Sequence, residues 1–164
     1  MALEAALAQL LPTFEAYYTI EPGTAPFAAQ AVFHTQGDGY FLVRSAKYAE
    51  CNSSEFVYFA LEPELTPERA RELAEAAWQA GQSRVRPSFS QHFSDVLLIV
   101  LTDRLPSASC LRKIRYSRSY RFGLMGYSRL RMAAAEPASG RVAGNPLGKG
   151  LERLLGRVFE RRNE

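Results

Sequence analysis

EFVYFALE at residues 55–62 and VLLIVL at 96–101, with TPERARELAEAAWQAG (66–81) between them, decide how this chain folds. In both outer runs apolar side chains fill consecutive positions rather than alternate ones. Successive strand residues point to opposite faces, so each run is apolar on both faces and belongs in the middle of a sheet. The segment between them is a helix with its punctuation in place. Thr66 is a good N-cap, Pro67 suits the first helical position, Leu65 can staple to Ala70, and Gly81 can end it. Ala70, Leu73, Ala74, Ala77 and Trp78 recur at helical spacing and form its buried stripe.

Towards the N-terminus, residues 2–18 predict an amphipathic helix with Leu3, Leu7, Leu10, Leu11, Phe14 and Tyr18 on one side, kinked or split at Pro12. EPGTAP (21–26) reads as a connector. Strands are expected at Phe27–Gln36 and Tyr40–Ala46, joined by a Gly37–Asp38–Gly39 hairpin turn, before a polar loop at Glu50–Ser54. Towards the C-terminus, Pro106 opens a short helix to about Ile114, and Glu136–Gly140 is a turn before a brief strand around Arg141–Ala143. Asn145–Pro146 starts a last helix with Leu147, Leu151, Leu154, Leu155 and Val158 on one face and Lys149, Arg153 and Arg157 on another. The expected order is α-β-β-β-α-β-α-β-β-α. It implies a single domain over residues 1–164, α/β or α+β, with a mixed, mainly antiparallel sheet of about five to seven strands flanked by helices.

Composition agrees with a packed globular domain: 164 residues, 47% hydrophobic and 23% charged. No apolar run approaches the roughly eighteen residues of a membrane span. Glu4 and the lack of a basic leader argue against a signal peptide. Cys51 and Cys110 have neither CxxC spacing nor a nearby histidine, so free thiols in the cytoplasm are expected.

Charge is distributed unevenly. Residues 1–81 hold four Lys/Arg against eleven Asp/Glu, and residues 82–164 hold sixteen against six. Much of the second excess sits in RKIRYSRSYRFGLMGYSRLR (112–131), which has seven basic residues, four aromatics and no acid. Alternation there puts Tyr120, Phe122, Leu124, Leu130 and Met132 on one strand face, towards a core, and Arg121, Arg129 and Arg131 on the other, towards solvent. Either one strand bends at Gly126, or a hairpin turns through Leu124–Gly126 and sets Arg121 opposite Arg129. Arginine forks suit phosphate and tyrosine rings suit base stacking. Arg112, Lys113, Arg115, Arg118, Arg121, Arg129 and Arg131 are therefore the candidate polyanion-binding residues. The competing reading is a solvated or internally ion-paired strand face.

The opening order, α-β-β-β-α-β over about residues 2–101, resembles that of the restriction-endonuclease-like core. That resemblance implies an acid near the second strand and an acid-x-Lys on the third, holding Mg²⁺ and polarising water. Asp38 and Glu55 stand near those places, but Glu55–Phe56–Val57 lacks the lysine, and the nearby Lys47 follows Ser45–Ala46. Asp38 also fits its Gly-Asp-Gly turn by turn chemistry alone. A relative that binds without cutting is favoured over an active nuclease.

Other chemistries leave no trace. His34 and His92 lack ligand-like neighbours, and there is no serine-hydrolase elbow, Walker loop or dinucleotide fingerprint. The glycine-rich stretch 144–150 reads as a helix start rather than a phosphate loop. No cofactor or metal site is expected. Three functions remain: a binding module for nucleic acid or another polyanion, a structural domain docking to an acidic protein or to itself, and a divergent metal-dependent nuclease-like fold lacking a complete active site, with Asp38 and Glu55 as its acids.

Overall fold

The computed structural model describes residues 2–35, 39–41, 44–48, 52–85, 91–119 and 126–160. Side chains are described for these residues except 34, 35, 39–41, 44–48, 52, 91, 92 and 117–119. The elements in chain order are α1 (Leu3–Leu10), α2 (Pro12–Glu15), β1 (Thr19–Pro22), β2 (Ala29–Thr35), β3 (Gly39–Phe41), β4 (Arg44–Tyr48), β5 (Asn52–Glu62), α3 (Pro67–Arg84), β6 (Gln91–Thr102), α4 (Ala108–Arg112), β7 (Ser117–Ser119), β8 (Tyr127–Glu136), β9 (Arg141–Gly144) and α5 (Lys149–Glu160). The architecture is α+β. One mixed sheet has the order β1-β2-β5-β6-β8-β7, with β9 sharing the outer edge of β8 with β7. Among the described strands of this sheet, β5–β6 and β6–β8 are parallel and the other pairs antiparallel.

The two doubly apolar runs lie at the centre as β5 and β6, and the helix between them carries the chain from one to the other. Thr66 caps α3, its Oγ1 accepting from the Arg69 amide at 3.1 Å, with Pro67 at the first helical position. Ala70, Leu73, Ala74, Ala77 and Trp78 are buried as their spacing requires. The helix continues past Gly81 to Arg84 because Gly81 faces the sheet. A methyl group there would overlap the Val96 side chain, so the glycine permits close approach instead of ending the helix.

Both faces of the sheet are covered. Phe56, Tyr58, Val96, Leu98, Leu130 and Met132 face a core under α3 and α4. Val57, Phe59, Leu97, Ile99 and Ala133 face a second core under α1, α2 and α5. Fully burying a large apolar side chain contributes about 1.5–3 kcal/mol, so helices on both sides are what stabilise strands of this composition. The N-terminal helix is divided at Pro12 as expected, and Leu3, Leu7, Leu10, Phe14 and Tyr18 are buried.

Several boundaries differ from the sequence expectation. Part of the 21–26 connector is strand: β1 pairs antiparallel with β2, Glu21 opposite Gln30. Strand β2 does not form a hairpin with the next segment but pairs with β1 and β5, while β3 and β4 make a separate two-stranded sheet. The Gly37–Asp38 part of the expected turn lies outside the described residues. The last helix begins at Lys149 rather than at Asn145–Pro146. Leu147 is exposed, and Phe159 joins Leu151 and Leu155 in the core.

Asn145 has a different task. Along the outer edge of β8, β7 covers residues 127–129 and β9 covers 133–136. In the gap, Asn145 Oδ1 accepts from the Met132 amide at 3.0 Å, and its Nδ2 donates to the Leu130 carbonyl at 3.0 Å. The buried side-chain amide thus serves β8 as a fragment of strand backbone would. Gly148 and Gly144 are glycines because a Cβ at either would press on the Met132 carbonyl oxygen. Replacing Asn145 by Ala leaves one donor and one acceptor of β8 unpaired, at a cost of about 1–3 kcal/mol each. We expect Asn145→Ala to lower stability by about 2–6 kcal/mol, read as a fall in the urea midpoint.

Candidate functional site

The parallel strands are apolar through their middle and polar at their N-terminal ends. Adjacent strands place Phe33, Glu55, Asp95 and Arg129 in one row across the sheet, with Ser117 opposite Arg129 on β7. The neighbouring row is Ser54, Ser94 and Ser128. Alternation sends the two rows to opposite faces. Charged groups enter the α1/α2 side, and serines enter the α3 side, where Gln82 Nε2 donates to Ser128 Oγ at 2.7 Å.

On the charged side, Asp95 is the hub. Arg129 grips it with two bonds, Nε to Oδ1 at 3.1 Å and Nη2 to Oδ2 at 3.0 Å. Arg131, one row further along β8, brings its Nε to 3.0 Å from Oδ2, though without hydrogen-bond alignment. The Asp95 side chain is only 6% exposed, with Arg131 at 14% and Arg129 at 24%. Arg129 also lies over the Tyr127 ring, 5.4 Å from its centroid. Beside this pair, Glu55 is buried and accepts a hydrogen bond from the Tyr18 hydroxyl.

Burial sets the protonation of this acid. Desolvation pushes the Glu55 carboxyl up to about 7, against the Tyr18 hydrogen bond; Asp95 adds to the rise, and the Arg131 and Arg129 charges oppose it. Burial and the adjacent Glu55 push the Tyr18 phenol well above its ordinary value, so it stays a donor. With Glu55 protonated, the cluster has one carboxylate facing two guanidinium groups. Ionising Glu55 balances the count but places a second negative charge in a dry site.

The candidate basic residues therefore separate. Arg129 and Arg131 do not face open solvent, as strand alternation alone predicts; their face is the second core, and they are paired with Asp95. An antiparallel partner does precede β8, but it is β7, with Ser117 rather than Arg121 opposite Arg129, and residues 120–125, which include most of the expected turn, lie outside the described residues. Arg121 lies outside the described residues, and of Arg118 only the backbone position in β7 is described. Arg112, Lys113 and Arg115 are exposed where α4 leads into β7, anchored by the buried Leu111 and Ile114. Among the described residues no acid pairs with these three. Arg115 also lines a pocket of about 280 Å³ with Tyr116, Arg129, Pro146 and Leu147.

Of the two acids expected at a Mg²⁺ site, Glu55 is bonded to Tyr18, and the place two after it is Val57, buried in the apolar core. Its neighbour Asp95 is paired with two arginines. Among the described residues no group of three His, Cys, Asp or Glu is placed to hold a metal ion. Asp38 and the side chains of Lys47, His34 and His92 lie outside the described part. Cys110 is a free thiol near Ser107, while Cys51 is outside the described residues. No described helix is long and apolar enough to cross a membrane.

A family model, described as a domain of unknown function (DUF8052), matches residues 2–156. The chain belongs to that family. No curated protein and no solved structure matches it. The matched span takes in every member of the Asp95 cluster and the exposed basic connector. Sequence reading missed Asp95 and Tyr18, and weighed Glu55 only as a metal ligand. The usable signal was positional, since Glu55 and Asp95 each stand just before a run that must be buried.

The Glu55 shift has a definite sign in stability. Its folded pKa exceeds the unfolded one, so the native state holds the extra proton between pH about 4.5 and 7. Stability should be fully present below that window, fall on the order of 3 kcal/mol as pH rises through it, and level off above. Glu21 and Glu136, whose pKa values are lowered, act in the opposite sense and at lower pH. Urea midpoints measured from pH 5 to 8 should show the fall in the wild type and a much flatter profile in Glu55→Gln.

Proposed function

We propose that this chain acts as one non-catalytic domain that binds nucleic acid or another polyanion through the basic connector between α4 and β8. The observation that carries this reading is the triplet Arg112, Lys113 and Arg115, exposed and without acidic partners among the described residues. Several other arginines are engaged: Arg69 with Glu62 and Glu72, Arg84 with Glu21, Arg104 with Glu64, Arg141 with Glu136. Arg71, Arg153 and Arg157 are exposed singly on helix faces, whereas the triplet gathers three cations within four residues. Charge left unpaired at the surface is available to phosphates, and the sequence continues it through Arg118 and Arg121. Tyr116 and Arg115 at the adjoining pocket give a nucleotide ring or sugar somewhere to rest. Arg129 and Arg131 belong to the scaffold of this interface and hold β8 in place. A cytoplasmic location accords with the free Cys110 thiol.

Fluorescence anisotropy with labelled single-stranded DNA, duplex DNA and RNA tests the proposal. Binding should weaken linearly in log–log form as salt rises, and the triple variant Arg112→Ala, Lys113→Ala, Arg115→Ala should flatten that slope by about 2–3 for duplex DNA. Arg129→Ala should instead lower the melting temperature. Binding unchanged in the triple variant, or lost at physiological salt for every probe, would overturn the reading in favour of an acidic protein partner or self-association.

A further inference from the structure

Where the basic connector meets the Asn145 bridge on the outer edge of β8 lies a pocket of about 280 Å³. Ile114, Tyr116, Pro146 and Leu147 are its apolar lining, and Arg115 and Arg129 are its cations. Its mouth is open to solvent, since Leu147 is 37% exposed and Arg115 is exposed. The volume falls just under the roughly 300–1,000 Å³ of drug-sized ligand sites, so it suits one ring system.

Both walls are tied to the same part of β8. Asn145 accepts from the Met132 amide and donates to the Leu130 carbonyl, which holds the Pro146–Leu147 turn in place. On the other side, the Leu130 amide donates to the Tyr116 carbonyl at 3.1 Å. The Trp78 ring lies against that of Tyr116, with centroids 5.9 Å apart and planes at 26°. Walls already held in place cost little to order on binding, which favours a flat, rigid guest.

The two cations differ. Arg129 is committed to Asp95 by two hydrogen bonds, whereas Arg115 has no acidic partner among the described residues and adjoins the exposed Arg112 and Lys113. A fitting ligand therefore brings an apolar ring for the pocket and several negative charges for the connector. A sulfated or phosphorylated chain without rings leaves the pocket empty, and a duplex keeps its bases within the stack. A single strand offers phosphates and a free base face together.

We propose that this pocket receives one unpaired base of a single-stranded nucleic acid, with the flanking phosphates on Arg115 and its neighbours. The inference rests on the polyanion reading and narrows it to single strands.

Anisotropy titrations at one salt concentration compare a labelled oligothymidylate with an abasic strand of equal length, which carries the same phosphates and no rings. The oligothymidylate should bind roughly tenfold more tightly, the value of about one stacked base. Leu147→Ala, which lowers one exposed wall, should erase most of that difference. It should leave the abasic strand and the duplex with oligodeoxyadenylate unchanged, and its melting temperature near the wild-type value. A wild-type measurement that needs no variant is photocrosslinking of a strand carrying 5-iodouracil, which should map to Tyr116. Thymidine monophosphate should compete only at far higher concentration than the strand, because it brings a single phosphate. Competition at strand-like concentration would make this a site for free nucleotides and overturn the proposal. Equal affinity for the oligothymidylate and abasic strands, or crosslinks away from Tyr116, would also overturn it. If both strands then still weaken in the Arg112, Lys113 and Arg115 triple variant, the polyanion reading stands without the base pocket. Absence of binding by every strand removes both.

Discussion

The Asp95 carboxylate and the two guanidinium groups of β8 impose the main constraint on this sheet. A carboxylate so enclosed must be compensated within reach of its own strand, because water cannot do it. Here the compensation crosses one strand interface. The parallel pairing of β6 with β8 puts Asp95 opposite Arg129 and brings Arg131 alongside on the same face. A slip of one residue in that pairing would turn either the acid or the arginines to the α3 side, leaving charge stranded among apolar groups. The pair fixes register where the surrounding Val, Leu, Ile and Ala would tolerate several alignments.

That constraint also explains the split of the basic segment. Seven basic residues in twenty look like one face when read along the chain. In three dimensions the segment passes from an exposed connector into a covered strand. The environment changes while the composition does not. Of the charge imbalance between the halves of the chain, Arg84–Glu21 and Arg104–Glu64 join acidic half to basic half. The Asp95 pairs, by contrast, are made wholly within the basic half.

What could be read in advance followed from local rules with one dominant cause. Doubly apolar runs became central strands, Thr66–Pro67 became a helix start, and Pro12 divided a helix. What could not be read depended on partners distant in sequence. Strand β1 overlaps the expected 21–26 connector at Glu21–Pro22, because its four residues, TIEP, carry little strand signal until β2 pairs with them. Gly81 was taken for a helix stop because its need for space comes from Val96, on the next strand. The charged cluster joins Tyr18, Glu55, Asp95 and Arg131, from four segments of the chain, so no local window contains it.

The edges of the sheet have a consequence for life in a crowded solution. The longest strands, β5, β6 and β8, with 11, 12 and 10 residues, are interior and paired along both sides. The outermost strands are β1, β7 and β9, of 4, 3 and 4 residues, and β1 ends in Pro22. The stretch of β8 between β7 and β9 is stopped by the Asn145 amide, which occupies backbone groups that an incoming strand would need. A chain with two unbroken apolar β runs is a natural template for fibrous assembly, yet its sticky lengths are inside and its borders are short. Strand addition to the long apolar runs would first have to open the molecule, so resistance to it should follow global stability rather than surface composition.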